Sequence, residues 1–310
     1  QDGDGDAYNV AIGFEAGTAI TTGVQNILIG GLAGDRLTSG SENVAIGHGA
    51  LGLENAHGRN VAIGQQALQL QDAGAHAYNV AMGYQAGAAV TTGVNNTLIG
   101  SFAGDSLTTG DYNIAIGRNA LAAEDAHGYN VAIGAFALTA QNAGDNAHNV
   151  GVGYNAGGNI TTSVRSVLVG GLAGNALTSG SDNVAVGHSA LSTENTGQKN
   201  TAVGSYALAA LDFNGDGNNT AIGFNAGLSV SSGVDNTLIG ARAGDALTIG
   251  NNNIAIGRSA LSTSVDGDHN TAIGVYALED YEDGDGNGFN TAIGSQSQAQ
   301  ATTGEFNTSL

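Results

Sequence analysis

The segment Asp212-Phe213-Asn214-Gly215-Asp216-Gly217-Asn218-Asn219 sets oxygen-bearing side chains at Asp212, Asn214 and Asp216, the alternation that opens a calcium loop. Hard oxygen donors on a glycine-containing turn suit Ca²⁺ better than Mg²⁺ or Zn²⁺, so calcium is the ion expected there. Gly223 stands where the closing bidentate Glu would be. Asp280 to Asn287, and Asp2, Asp4 and Asp6, are acidic stretches of the same kind. Asp72 to His76 and Asn142 to Asn146 are poorer in carboxylates and read as solvated turns.

The seven histidines are scattered. One recurring position alternates as His48, Arg118, His188, Arg258, which reads as an exposed polar contact, because Arg cannot replace a metal-ligating imidazole. Ser, His and Asp are all present, yet no copy sets a base beside a nucleophile that its sister copies lack, so no enzyme active site is expected. Twenty-seven Asp and Glu against seven Lys and Arg give a net charge of −20, which excludes an electrostatic grip on nucleic acid or anionic lipid. The absence of Cys excludes disulfides and thiolate sites. No apolar run reaches the ~18 residues of a membrane helix.

Any such group must be positioned by a repeat, because the chain is self-similar almost throughout. The unit reads Asn-[Val/Ile/Thr]-Ala-[Ile/Val]-Gly-x-x-Ala-[Gly/Leu]. It begins at Asn9, Asn26, Asn43 and Asn60 and recurs to Asn307, with Ser166 the one start that is not Asn. Three spacings of 17 residues are followed by a longer one of 19 or 20, which gives a super-repeat of 70 or 71 residues. Residues 1–8 read as the end of a preceding coil, 9–306 as a single repeat array, and 307–310 as the start of a further coil. The expectation is an array that continues beyond both ends.

Short β-branched runs such as Val10-Ala11-Ile12, each closed by Gly, have strand length and composition, and no helical period appears. The invariant Gly13, Gly30, Gly47 and Gly64 call for a turn at positive φ or a close backbone approach that a Cβ would block. The Asn9, Asn26, Asn43 and Asn60 series predicts a side-chain ladder from coil to coil. The x-x-Ala-[Gly/Leu] segment predicts a second short strand. Within the first strand, the aliphatic second and fourth positions are assigned to the inside of the coil. The third position, Ala11, Leu28, Ala45, Leu98, Leu168 and Leu238, is assigned to an outer face covered by another copy of the chain.

The repeated Asn-Val-Ala-Ile-Gly-x-x-Ala, at Asn9 to Ala16, Asn43 to Ala50, Asn130 to Ala137 and Asn270 to Ala277, resembles the head repeats of YadA-like trimeric autotransporter adhesins. Similar repeats occur in some bacteriophage tail fibres. The resemblance implies an all-β, left-handed parallel β-roll or β-solenoid of about 17 coils. It also implies a homotrimer, placed extracellularly on a bacterial surface or virion tail, that binds a host, matrix or envelope receptor. The repeat here is longer than the family's typical unit of about 14 residues, and the added length should lie in the returning loop. The expected function is a non-enzymatic rod for multivalent attachment through the loops ahead of Asn79, Asn149, Asn219 and Asn290. The alternative is a monomeric solenoid stabilised by calcium, or an ice-binding one suggested by Thr pairs such as Thr21-Thr22 and Thr91-Thr92.

Overall fold

In the computed structural model the described residues are 7–281 and 288–310. They form two compact units, Gln1–Val152 and Gly153–Leu310. The first unit contains nine three-residue strands. These are β1 (Val10–Ile12), β2 (Ile27–Ile29), β3 (Val44–Ile46), β4 (Val61–Ile63), β5 (Val80–Met82), β6 (Thr97–Ile99), β7 (Ile114–Ile116), β8 (Val131–Ile133) and β9 (Val150–Val152). The second has β10 (Val167–Val169), β11 (Val184–Val186), β12 (Thr201–Val203), β13 (Thr220–Ile222), β14 (Thr237–Ile239), β15 (Ile254–Ile256), β16 (Thr271–Ile273), β17 (Thr291–Ile293) and the two-residue β18 (Thr308–Ser309). Within each unit every strand pairs in parallel with the next, position for position, as Val44↔Val61, Ala45↔Ala62 and Ile46↔Ile63 show. The chain is thus a β-solenoid of about 17 coils, and no helix occurs among the described residues. None is therefore long and apolar enough to cross a membrane.

The invariant glycine makes this stacking possible. Gly47 has φ +135°, and a Cβ on it would lie 2.5 Å from the Gly64 backbone of the next coil. Only a residue without a side chain permits coils to approach so closely there. The segment after this glycine is a turn and not the expected second strand. Its seventh and ninth unit positions, such as Leu32 (φ 59°) and Gly34 (φ 54°), are left-handed, which extended backbone cannot accommodate. Coil-to-coil hydrogen bonds persist nonetheless, with Leu32 N–H donating to Phe14 C=O (2.8 Å) and Gly34 N–H to Ala50 C=O (3.0 Å).

The faces of the strand are the reverse of the expectation. Leu28, Ala45, Leu98, Leu168 and Leu238 are fully buried within the single chain, and only Ala11, in the first strand, is exposed. These residues line the coil and do not form an oligomer face. The reason is volume, since a 17-residue coil encloses little space and its lining must be matched side chain by side chain. Leu28 fills room left by glycine: a Cβ on Gly17 would lie 2.7 Å from its Cδ1, and one on Gly34 2.9 Å from its Cδ2. Where the third position is Ala45 or Ala62, the ninth supplies the bulk instead as Leu51 or Leu68, both buried. The rotation Gly, Gly, Leu, Leu at the ninth position is therefore a packing pattern.

Candidate functional site

Three groups of residues could carry function: the polar ladder at the start of each strand, the outward strand face, and the loop side chains with their buried neighbours. The ladder is built by asparagine. Asn26 N–H donates to Asn9 Oδ1 (2.8 Å), Asn43 N–H to Asn26 Oδ1 (3.0 Å) and Asn60 N–H to Asn43 Oδ1 (3.1 Å). The side-chain amide also donates, from Asn26 Nδ2 to Gly40 C=O (2.9 Å). All of Asn26, Asn43 and Asn60 are buried, so each side-chain oxygen accepts from a backbone N–H of the next coil that water cannot reach. At Ser166 the shorter side chain still accepts from Asn183 N–H (3.3 Å). The donor that an asparagine amide supplies elsewhere comes instead from Ser163 Oγ, which bonds Gly180 C=O (2.5 Å). Ser163 occupies the position of Gly23 and Gly93 in other super-repeats, so the two serines are a compensating pair.

The outward face of the strands is apolar at the fourth position throughout, and at the second position it is Val or Ile except where Thr stands, as at Thr97, Thr201, Thr220 and Thr237. Its second and fourth positions are half-buried or exposed, and Ile27, Met82, Ile114 and Ile133 in the first unit each show more than a third of their surface. So do Val167, Ile222, Ile254 and Ile293 in the second unit. Stacked at strand spacing, the fourth-position side chains make a continuous aliphatic stripe within each unit, Ile or Val except at Met82, the kind of contiguous patch that marks an interaction surface.

Asp212, Asn214 and Asp216 are exposed on their loop. Asp216 is engaged by Lys199, whose Nζ lies 2.5 Å from its Oδ2. The related acidic stretches lie mostly outside the described residues, as Asp2, Asp4, Asp6 and 282–287 do. At the alternating position, Arg258 lies over the Tyr276 ring at 4.6 Å and Arg118 over Phe136 at 5.6 Å, while His188 meets Tyr206 edge-on.

The twelfth unit position holds a feature that the sequence reasoning passed over. It is a core column, occupied by buried Leu37, Val90, Leu107, Ile160, Leu177, Val230 and Leu247, yet Glu54, Glu124 and Glu194 stand in it, each fully buried. Glu54 Oε1 accepts N–H bonds from Asn55 (3.1 Å) and His57 (3.0 Å), which caps the local turn, and its Oε2 has no partner. The His57 imidazole Nδ1 stands 3.5 Å from that same Oε1, and a carboxylate oxygen of Asp72 completes a group within 4.8 Å. Glu124 has a similar group, in which His127 Nδ1 is hydrogen-bonded to Oε1 at 3.2 Å, the third member is Asp125 of the same coil and not a residue of the next, and Oε2 is again without a partner. At Glu194 the histidine is replaced by Gly197, and Oε2 accepts from Phe213 N–H (3.3 Å). Burial pushes all three carboxyls above the usual glutamate range, against the opposing pull of the backbone N–H bonds. A period-17 column reading Ile20, Leu37, Glu54, Gln71 was the available signal.

Compared with known proteins, the chain matches no family model and no curated protein.

Proposed function

We propose that this chain is a non-enzymatic structural and binding module of a surface adhesin or phage tail fibre. In this reading three chains form left-handed β-rolls side by side on the outside of a bacterium or virion. The loops ahead of Asn79, Asn149, Asn219 and Asn290 then face a receptor as many weak, repeated contacts. The observation that carries the reading is the outward aliphatic stripe of each unit. Isoleucine and valine recur on strands whose small inner side chains already complete the coil, and a second copy of the same stripe is the apolar partner that matches it in length and spacing. The self-complementary partner thus moves from the alanine column to the isoleucine column, and the kind of assembly proposed is unchanged.

Substituting lysine at outward positions tests this directly. Ile114→Lys and Ile254→Lys, both more than a third exposed in the single chain, should leave the β-rich circular dichroism of the fold intact while lowering the mass of the particle. A variant whose mass equals that of the unmodified protein would refute the proposed contact.

A further inference from the structure

The two Glu-x-x-His groups of the first unit carry a second reading, independent of assembly. A carboxylate in a buried core column needs counter-groups, and the backbone N–H bonds, joined at Glu124 by the His127 imidazole, all fall on Oε1 and leave Oε2 without one. The unpartnered Oε2 of Glu54 and of Glu124 occurs in the two coils that also bring an imidazole to the carboxylate. In the third equivalent coil the imidazole is absent and Oε2 is hydrogen-bonded by Phe213. A Cβ on Gly197 would lie in that coil at 2.5 Å or less from the Glu194 carboxylate and the Phe213 carbonyl oxygen, so no histidine fits there. The fourth coil has Ser264 in place of glutamate and Gly267 in place of histidine.

We propose that Glu54, His57 and Asp72 form one divalent transition-metal site, and Glu124, His127 and Asp125 a second, with Zn²⁺ the best-matched ion. Imidazole together with carboxylate selects zinc over calcium or magnesium, which prefer oxygen donors alone. The separations of 3.5 and 3.2 Å between His Nδ1 and glutamate Oε1 bracket the ~3.3 Å edge of a tetrahedral shell with bonds of about 2.0–2.1 Å, so Oε1 is the glutamate oxygen that would face the ion and Oε2 the one that could add a second bond. The exposed third carboxylates, Asp72 and Asp125, put each group at the surface, where an ion can enter and water can fill the fourth position. Glu194 is the chain's own control, a buried glutamate of the same register without a site.

The full chain, freed of metal by chelator and then dialysed against micromolar Zn²⁺, should retain two zinc ions by mass spectrometric metal analysis. His57→Gln and His127→Gln should each retain one, and the double variant none. His48→Gln and His76→Gln, which change histidines outside the two groups, should retain two. Zinc should raise the melting temperature of the unmodified protein and leave that of the double variant unchanged. Both histidine side chains are about a quarter exposed, so the variants should fold, as circular dichroism would check. Zinc retention that is the same in the double variant as in the unmodified protein, or no retention by the unmodified protein, would overturn the proposal. Neither result depends on the mass of the particle, so failure here leaves the adhesin reading standing, and the reverse also holds.

Discussion

Single residues are interpretable here because each position is seen in up to four super-repeats. The pair Ser163 and Ser166 replaces the usual Gly and Asn together, with one hydroxyl accepting from the next coil and the other donating to Gly180. Ser166→Asn alone would press the amide into the space of Ser163, and Ser163→Gly alone would leave the buried Gly180 carbonyl without that donor. Each single change should cost about 1–2 kcal/mol, and the double change should restore most of it, as a double-mutant cycle in urea would measure. A second comparison concerns Asp105 and Asp245, whose equivalent in the third super-repeat is Asn175. The Asn175 amide, oriented with its nitrogen toward the Ser192 and Leu172 carbonyls, donates to both at 3.1 and 3.0 Å. A carboxylate cannot donate, and burial raises the carboxyls of Asp105 and Asp245 above the aspartate range. Groups raised in this way bind more protons folded than unfolded. Their contribution to stability therefore falls as pH rises from about 4 through their folded values, and is regained on acidification from neutrality. Melting temperature should accordingly rise as pH is lowered from neutrality toward the ordinary aspartate range. Asp105→Asn should stabilise at pH 7 by about 1 kcal/mol and flatten that slope, and an unchanged slope would refute the assignment. Asp182 has the opposite sign, since its hydrogen bond to Arg165 lowers its carboxyl, so its contribution fades only below the ordinary aspartate range.

At the scale of the strand and its turn, the sequence reveals the register but not the orientation. Asparagine at intervals of 17 and glycine four residues later fix where each coil begins and how closely it meets the next, and both can be read from the letters alone. Orientation escapes because a three-residue strand such as Val44-Ala45-Ile46 is apolar on both sides, so alternation carries no sign. What decides it is interior volume. Alanine inside is matched by Leu51 across the coil, and Leu28 inside is matched by Gly34, whereas isoleucine on the inner face would overfill the same space. The Glu-His groups were hidden for a related reason: a charge in a core column is visible only once the column is known to be core. Gly34→Ala tests the volume account. Its methyl would lie 2.9 Å from Leu28 Cδ2, so a loss of about 1–3 kcal/mol is expected, and the double variant Leu28→Ala/Gly34→Ala should lose clearly less than the sum of the two single losses, of which Leu28→Ala alone is about 2–5 kcal/mol. Gly47→Ala, which meets backbone at 2.5 Å with φ +135°, should cost on the order of 3 kcal/mol, with no side chain able to relieve it. Additive losses in the Leu28/Gly34 pair would contradict the packing pattern.

For the molecule as a whole, the outward isoleucine stripes are the feature that a solitary chain leaves unexplained, because a net charge of −20 could by itself keep a polar-faced monomer soluble. The same charge opposes assembly at low salt, so the association should strengthen as ionic strength rises. The most direct measurement is the mass of the particle by light scattering across protein concentration and salt. The account predicts three times the 30.5 kDa of one chain at moderate salt, and a particle of 30.5 kDa under every condition would contradict it.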